Sequence, residues 1–476
     1  MTDFSKFHLS ESAKIVSDHI PGKESKKMIA LQQKIEGSVV SYPRGIPIAI
    51  KKAKGAIIED VDGNQFLDFF AGAGVVNLGH SNEEVLERVF EQQKSLIHAL
   101  DFPTQNKMDA ITKMLNALPD RLKGEYKVSF GGPTGSDAVE AAIKLAKIKT
   151  GRDTILAFSG GYHGMSAAAL AMTSDVHYRK KLGTSVAGIH FIPYSYPYRC
   201  PFTEGPNNEE SSGEACYKYI KMTIENSHSG IPLPAAIIIE PIQGEGGNIP
   251  AQRNFLEKTV KMAREHGIVV IFDEIQCGFY RSGKFLSFMH TDAVPDIITV
   301  SKGLGGVGLP IAGLIYRKDV EAWGPGDHIG TFRGNQASLA ATNGAFDFVE
   351  KYKVADHATE MGNYLMSLLS ELQEASTYIG EVRGKGLMIG VEMVKDKATK
   401  EPYPEFVKMM KQTCLQKGLL FEVGGHYSNV IRFVPPLIIT RTIVENAVEI
   451  LRSALSELDK GFNEKIEKEQ SVEFAE

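Results

Sequence analysis

Cysteine is scarce. The 476 residues hold four, Cys200, Cys216, Cys277 and Cys414, far apart and without a CxxC pair. That excludes a disulfide scaffold and a zinc-cysteine site, and fits reduced thiols. An excess of one charge is also lacking. Lys and Arg number 53 against 58 Asp and Glu, a net charge of −5 with both signs mixed throughout. No Lys/Arg block supplies a phosphate footprint, so nucleic acid is not an expected partner. No apolar run approaches the ~18 residues that cross a bilayer, so no membrane is expected. Charges and hydroxyls break up the opening segment MTDFSKFHLSESAKIVSDHI, which therefore has no signal-peptide core; the expected location is cytoplasmic. A GxxxxGK(S/T) loop is missing, which leaves nucleoside triphosphate chemistry unsupported. Internal repeats and low-complexity tracts are missing too.

What is present suits a large folded chain. Hydrophobic residues make up 43% of it, ample for a core, and its length corresponds to two or three units at ~150 residues each. Residues 1–70 read as an N-terminal segment of a small domain and end in a hairpin, with Ala56-Ile57-Ile58 and Phe66-Leu67 flanking Asp62-Gly63. Residues 71–335 read as a large domain in which short β-branched runs alternate with helices. The runs are 127–130, 154–158, 236–239, 268–272 and 297–300. They are continuous rather than alternating, as strands buried on both faces are. Between them, Val139, Ala142, Ile143 and Ala146 mark a helix stopping at Gly151, and Leu256, Val260 and Ala263 one stopping at Gly267. Residues 336–476 read as a C-terminal α+β small domain. Its expected order is a long helix over 337–375, a strand pair within 382–394, a helix, strands at 419–423 and 430–434, and a closing helix from Thr442. The charged tail 463–476 is expected to fray. The polar stretch 201–213 reads as a surface loop. The whole is an α/β fold with a mostly parallel sheet flanked by helices.

Ligands of such sheets sit beyond the carboxyl ends of the strands, where helix N-termini also point. The first polar residues after the runs are Glu240, Asp273-Glu274 and Ser301-Lys302, and Gly131-Gly132-Pro133-Thr134-Gly135-Ser136 leads from a strand into a helix. Taken singly, the glycine loop is a tight turn with a cap, Asp273 a cap or an arginine partner, and Lys302 a solvated amine. On one rim they become a lysine beside carboxylates, where a depressed amine pKa makes a nucleophile. Gly303, Gly305 and Gly308 match GxGxxG, but Leu309-Pro310-Ile311-Ala312 reads as a turn into a strand instead of the helix a dinucleotide needs. His163 has no partners at metal-ligand spacing, and no metal is expected.

These residues resemble the class III pyridoxal-phosphate aminotransferases of fold type I, over about 45–455. The matching stretches are Asp60-Val61-Asp62-Gly63, Gly135-Ser136-Asp137-Ala138, Tyr162-His163-Gly164, Glu240-Pro241-Ile242-Gln243-Gly244-Glu245-Gly246-Gly247, Asp273-Glu274-Ile275-Gln276-Cys277-Gly278, Ser301-Lys302-Gly303, Gly330-Thr331-Phe332 and Arg432-Phe433-Val434-Pro435-Pro436-Leu437. The resemblance implies a seven-stranded sheet in the large domain and pyridoxal 5'-phosphate as cofactor. It makes Lys302 the amine that condenses with the cofactor aldehyde and Asp273 the anion that keeps the ring nitrogen protonated. It sets Gly135 and Ser136 on the phosphate, Tyr162 on the ring face with His163 beside it, and Gln276 on the ring hydroxyl. Thr331 would reach the phosphate of a neighbouring subunit, which implies a homodimer or higher assembly with a shared site. Arg432 would bind a substrate carboxylate, and Glu245 would pair with it when an amine enters. Asp137 stands where Glu is commoner, the phosphate loop lacks the usual Asn, and Arg333 stands where small residues are frequent.

The Gly-Thr-Phe-Arg-Gly-Asn string is similar to diaminobutyrate and ectoine-pathway aminotransferases. The implied reaction moves the terminal amino group of a diamino acid, 2,4-diaminobutyrate, reversibly to 2-oxoglutarate by a ping-pong route. Alternatives on the same scaffold are an amino-acid racemase, which needs an acid or base on the opposite face such as His163 or Tyr162, and a catalytically silent scaffold.

Overall fold

The computed structural model describes residues 2–180, 186–202 and 209–473, without the side chains of residues 209 and 460–473. Near the N-terminus, β1 (Ile50–Lys54), β2 (Ile57–Asp60) and β3 (Gln65–Asp68) form an antiparallel meander. The expected hairpin turns at Gly63, whose φ is +89°.

The large sheet has seven strands: β4 (Tyr126–Gly132), β5 (Ile155–Phe158), β6 (Ile189–Ile192), β7 (Ala236–Ile239), and, after the small hairpin β8 (Ile242–Gln243) and β9 (Ile249–Pro250), β10 (Val269–Asp273), β11 (Ile297–Val300) and β12 (Ala312–Arg317). Their spatial order is β4-β12-β11-β10-β7-β5-β6. Only β12 runs antiparallel. It is the strand expected after Leu309-Pro310, and the glycines before it form a 3-10 turn, Lys302–Gly305, not a helix. β5, β7 and β11 are buried at every residue, because helices cover both faces. The helix Gly135–Thr150 ends at Gly151 in the left-handed region, and Arg253–Glu265 is followed by Gly267 at φ +62°.

A further sheet joins β13 (Ile379–Lys385), β14 (Met388–Met393), β17 (Val430–Phe433) and β16 (Glu422–Gly424) in that order, while β15 (Leu419–Leu420) pairs in parallel with β3. The stretch 419–423, expected as one strand, is therefore two, serving different sheets on either side of Phe421. That ring is buried against Phe433, with centroids 5.8 Å apart.

The expected helix over 337–375 is likewise two, Gln336–Tyr352 and Val354–Ala375, broken at Lys353 with φ +52°. No glycine or proline marks the break. It is wrapped from far away in sequence: Phe7 meets Phe348 and Tyr352, and Phe4 meets His357. Of the expected loop 201–213, residues 203–208 lie outside the described residues, and helix Glu209–Glu225 already begins within it. The closing helix runs Arg441–Glu473, where fraying was expected from 463. Residues 474–476 lie outside the described residues. Among those described, no helix is long and apolar enough to cross a membrane.

Candidate active site

Parallel strands bring their carboxyl ends to one edge, and the expected rim assembles there. Asp273 is the last residue of β10 and is 3% exposed. Its Oδ2 lies 2.7 Å from His163 Nδ1. Its Oδ1 accepts from the Thr299 hydroxyl at 3.0 Å and the Ile275 N–H at 3.1 Å. A carboxylate offers about four lone-pair sites, so one remains for a further donor. Burial alone would depress the His163 pKa, but the hydrogen bond and charge of Asp273 outweigh it and hold the imidazole above its usual value. Glu240, just past β7, accepts from the N–H groups of Tyr162 and Gly244, both at 2.9 Å. Burial pushes its carboxyl up to about 7.

Lys302 sits two residues past β11 with φ +43°, a left-handed conformation uncommon for a side-chain-bearing residue and typical of functional sites. It makes no hydrogen bond or ion pair with the described residues, and burial lowers its pKa, which favours the neutral amine.

The helix Gly135–Thr150 starts from a reciprocal cap. Thr134 Oγ1 accepts from the Asp137 N–H at 3.4 Å, and Asp137 Oδ2 accepts from the Thr134 N–H at 2.9 Å. Here the shorter Asp does the work of the commoner Glu, and Gly132 makes room for it, since a Cβ there would lie 2.6 Å from the carboxylate. The cap engages the N–H of Asp137 and leaves those of Gly135 and Ser136 for an anion, at the positive end of the helix.

Lys302, Asp273, His163, Tyr162, Gly135, Ser136, Gln276 and Glu245 all line one cavity of about 180 Å³, together with Thr134, Glu240 and Ile275. Arg432, on β17, is 1% exposed and reaches this wall through its partners. Its Nη2 donates to Gln276 Oε1 at 2.8 Å, and its Nε lies 3.4 Å from Asn248 Oδ1. Nη1 lies 2.7 Å from Glu245 Oε1, without the alignment of a hydrogen bond. Gln276 is thus held by Arg432 and by its own bond to the Ala73 carbonyl at 3.2 Å.

Thr331 is not brought to the cavity. It is exposed and opens the turn Thr331–Gly334. The unusual Arg333 is clamped between nitrogens by Asp101, with its Nε 2.5 Å from Oδ1. A Cβ on Gly334 would fall 1.9 Å from the Leu100 carbonyl oxygen, and Asn335 caps the helix Gln336–Tyr352. The Phe-Arg-Gly-Asn string therefore locks residues 331–335 to the segment near Leu100.

Sequence reasoning placed Glu240 on the rim but gave it no role, and it passed over Thr299 and Asn248. Thr299 had a signal, as the polar residue inside the apolar run Ile297-Ile298-Thr299-Val300. Asn248 had none. Among the described residues no group of three or more His, Cys, Asp or Glu is placed to hold a metal.

The residues present fit pyridoxal phosphate: an unpartnered, desolvated amine on one wall, a carboxylate with a spare lone pair on another, and an open helix start for the phosphate. Fold and site together define a fold-type I pyridoxal-phosphate enzyme. The chain belongs to the class III aminotransferases: the family model "Aminotransferase class-III" matches residues 40–455. It is 39% identical to a diaminobutyrate–2-oxoglutarate aminotransferase of Rhizobium meliloti, over 90% of this chain and 92% of that one. It is 40% identical to the enzyme of the same name in Haemophilus influenzae, over 89% and 94%. A crystal structure of a Bacillus anthracis aminotransferase superposes with a TM-score of 0.82 at 28% identity, covering 91% of this chain and 99% of that one.

Proposed function

We propose that this aminotransferase takes the terminal amino group of L-2,4-diaminobutyrate and passes it to 2-oxoglutarate, reversibly and in two half-reactions. The observation that carries this reading is the Arg432–Glu245 ion pair closing over the cavity, with Arg432 buried and the Glu245 side chain 39% exposed. A terminal amine arrives without a carboxylate on the neighbouring carbon, and the closed pair leaves Arg432 neutralised for it. A 2-oxo acid arrives with that carboxylate, which replaces Glu245 on the guanidinium in bidentate fashion. Glu245, on the exposed side and held without a directed hydrogen bond, is the partner free to swing.

Pyridoxal phosphate, when bound, supplies the electron sink for the C–H bond broken beside the amine. Lys302 Nζ, whose pKa burial lowers, would take that proton and return it. Asp273 would hold the ring nitrogen's proton, its carboxylate kept aimed by His163 and Thr299. Gly135 and Ser136 would hold the phosphate, Tyr162 the ring face and Gln276 the ring hydroxyl.

Racemisation is not favoured. The proposed opposite-face base His163 has its Nδ1 committed to Asp273, and burial raises the Tyr162 pKa. A two-fold partner is supported by exposed Thr331 and the apolar surface around it, with Ile329 73%, Phe332 64% and Ile97 57% exposed. The four cysteines are buried thiols, which supports a reducing, cytoplasmic setting.

The test is an amine-donor panel with 2-oxoglutarate and pyruvate as acceptors, products read by mass spectrometry. Glutamate formed from diaminobutyrate supports the reading. No transfer from any terminal amine, or inversion of one amino acid without a 2-oxo acid, overturns it.

A further inference from the structure

Glu422 on β16 stands directly opposite Arg432 on β17 in the antiparallel register, so the two side chains share one face of the sheet. Yet they do not pair. The guanidinium is taken by Glu245, Gln276 and Asn248. Glu422 Oε1 is shut off from solvent and has no hydrogen-bond partner, and Glu422 forms no ion pair with the described residues. Its register partner Arg432 contacts Glu245 and Gln276, which line the cavity, so Glu422 stands beside that wall, with Lys411, Arg432, Glu245 and Lys302 as the charged groups around it. Burial raises its pKa, as expected of a carboxyl without a settled cation. Among the described residues neither Lys411 nor Arg432 forms an ion pair with Glu422, so its Oε1 keeps no partner. A buried carboxylate oxygen left unmatched is costly, and a cation brought to it relieves the cost.

A diamino acid that enters terminal amine first brings such a cation, because its second ammonium trails toward the mouth. We propose that Glu422 is the specificity-determining residue that receives the second, non-reacting ammonium of the diamino acid donor. This rests on the donor reading given above and goes beyond it by assigning the group that separates diamines from simple terminal amines.

The natural comparison is 2,4-diaminobutyrate against 4-aminobutyrate, which has the same carbon chain and carboxylate but no second amine. The ratio of kcat/KM for the two donors is measured in wild type, Glu422→Gln and Glu422→Asp. Glu422→Gln should lower the ratio by roughly tenfold or more, with the loss in KM for diaminobutyrate, and Glu422→Asp should keep most of it. An unchanged ratio, or an equal fall for both donors, overturns the proposal; the equal fall is what a purely structural role gives. If wild type transfers nothing from diaminobutyrate, the donor reading fails, and this proposal with it. A lost ratio alongside intact wild-type turnover concerns Glu422 alone.

Discussion

Asp273 and Thr299 stand on neighbouring strands of one sheet, whereas Arg432 and Glu422 stand on another and Glu245 on a loop. The two groups also differ in how they are satisfied. Around Asp273 both carboxylate oxygens are bonded, and Asp273, His163 and Thr299 are all buried. Around Arg432 one ion pair lacks hydrogen-bond alignment, its acid is partly exposed, and a nearby carboxylate oxygen has no partner. The floor has one arrangement, fixed by sheet register and full hydrogen bonding. The mouth is less settled, which supports the proposal that Glu245 leaves Arg432 when a differently charged substrate enters.

Substitutions at the two regions should therefore separate. At the floor, Lys302→Ala should cost at least about 10⁴-fold in kcat, and borohydride should no longer fix the cofactor to the protein by mass spectrometry. Retention of that fixation would move the chemistry to another amine. Asp273→Asn removes the anion while keeping the shape, and kcat should fall by about 10³-fold for every donor alike. A donor-selective loss would blur the distinction between floor and mouth. At the mouth, Arg432→Lys should raise KM for 2-oxoglutarate by roughly 10- to 100-fold and change kcat for the diamine half-reaction far less, because a point charge replaces a planar fork.

The smallest effect lies behind the floor. Burial pushes Glu274 up to about 7 from an ordinary 4.5, although the N–H groups of Phe288 and Ser287 bond it at 2.7 and 2.9 Å. A carboxyl raised in the folded state binds its proton more tightly there. Its contribution to stability is full below about 4.5 and is lost as pH rises through about 7. Denaturant midpoints of Glu274→Gln should flatten that decline by about 3 kcal/mol relative to wild type.

How much could be read beforehand divides along the same line. Asp273, Lys302 and the Thr134–Gly135–Ser136 start are each the first polar group after a buried apolar run, and parallel strands bring such groups together. The mouth has no such rule. Glu422 was hidden because 419–423 reads as a single strand, and only the tertiary structure divides it between two sheets. The break at Lys353 was invisible for a similar reason: Phe4 and Phe7, which surround it, come from the other end of the chain. Thr331 was legible as a motif but not as a position in the cavity, because it faces outward.

A single residue, Phe421, separates the strand paired with β3 from the strand paired with β17. Side chains alternate along a strand, so one residue gained or lost there would turn Glu422 to the wrong side while both sheets tried to keep their pairing. This stretch has no slack for insertions or deletions.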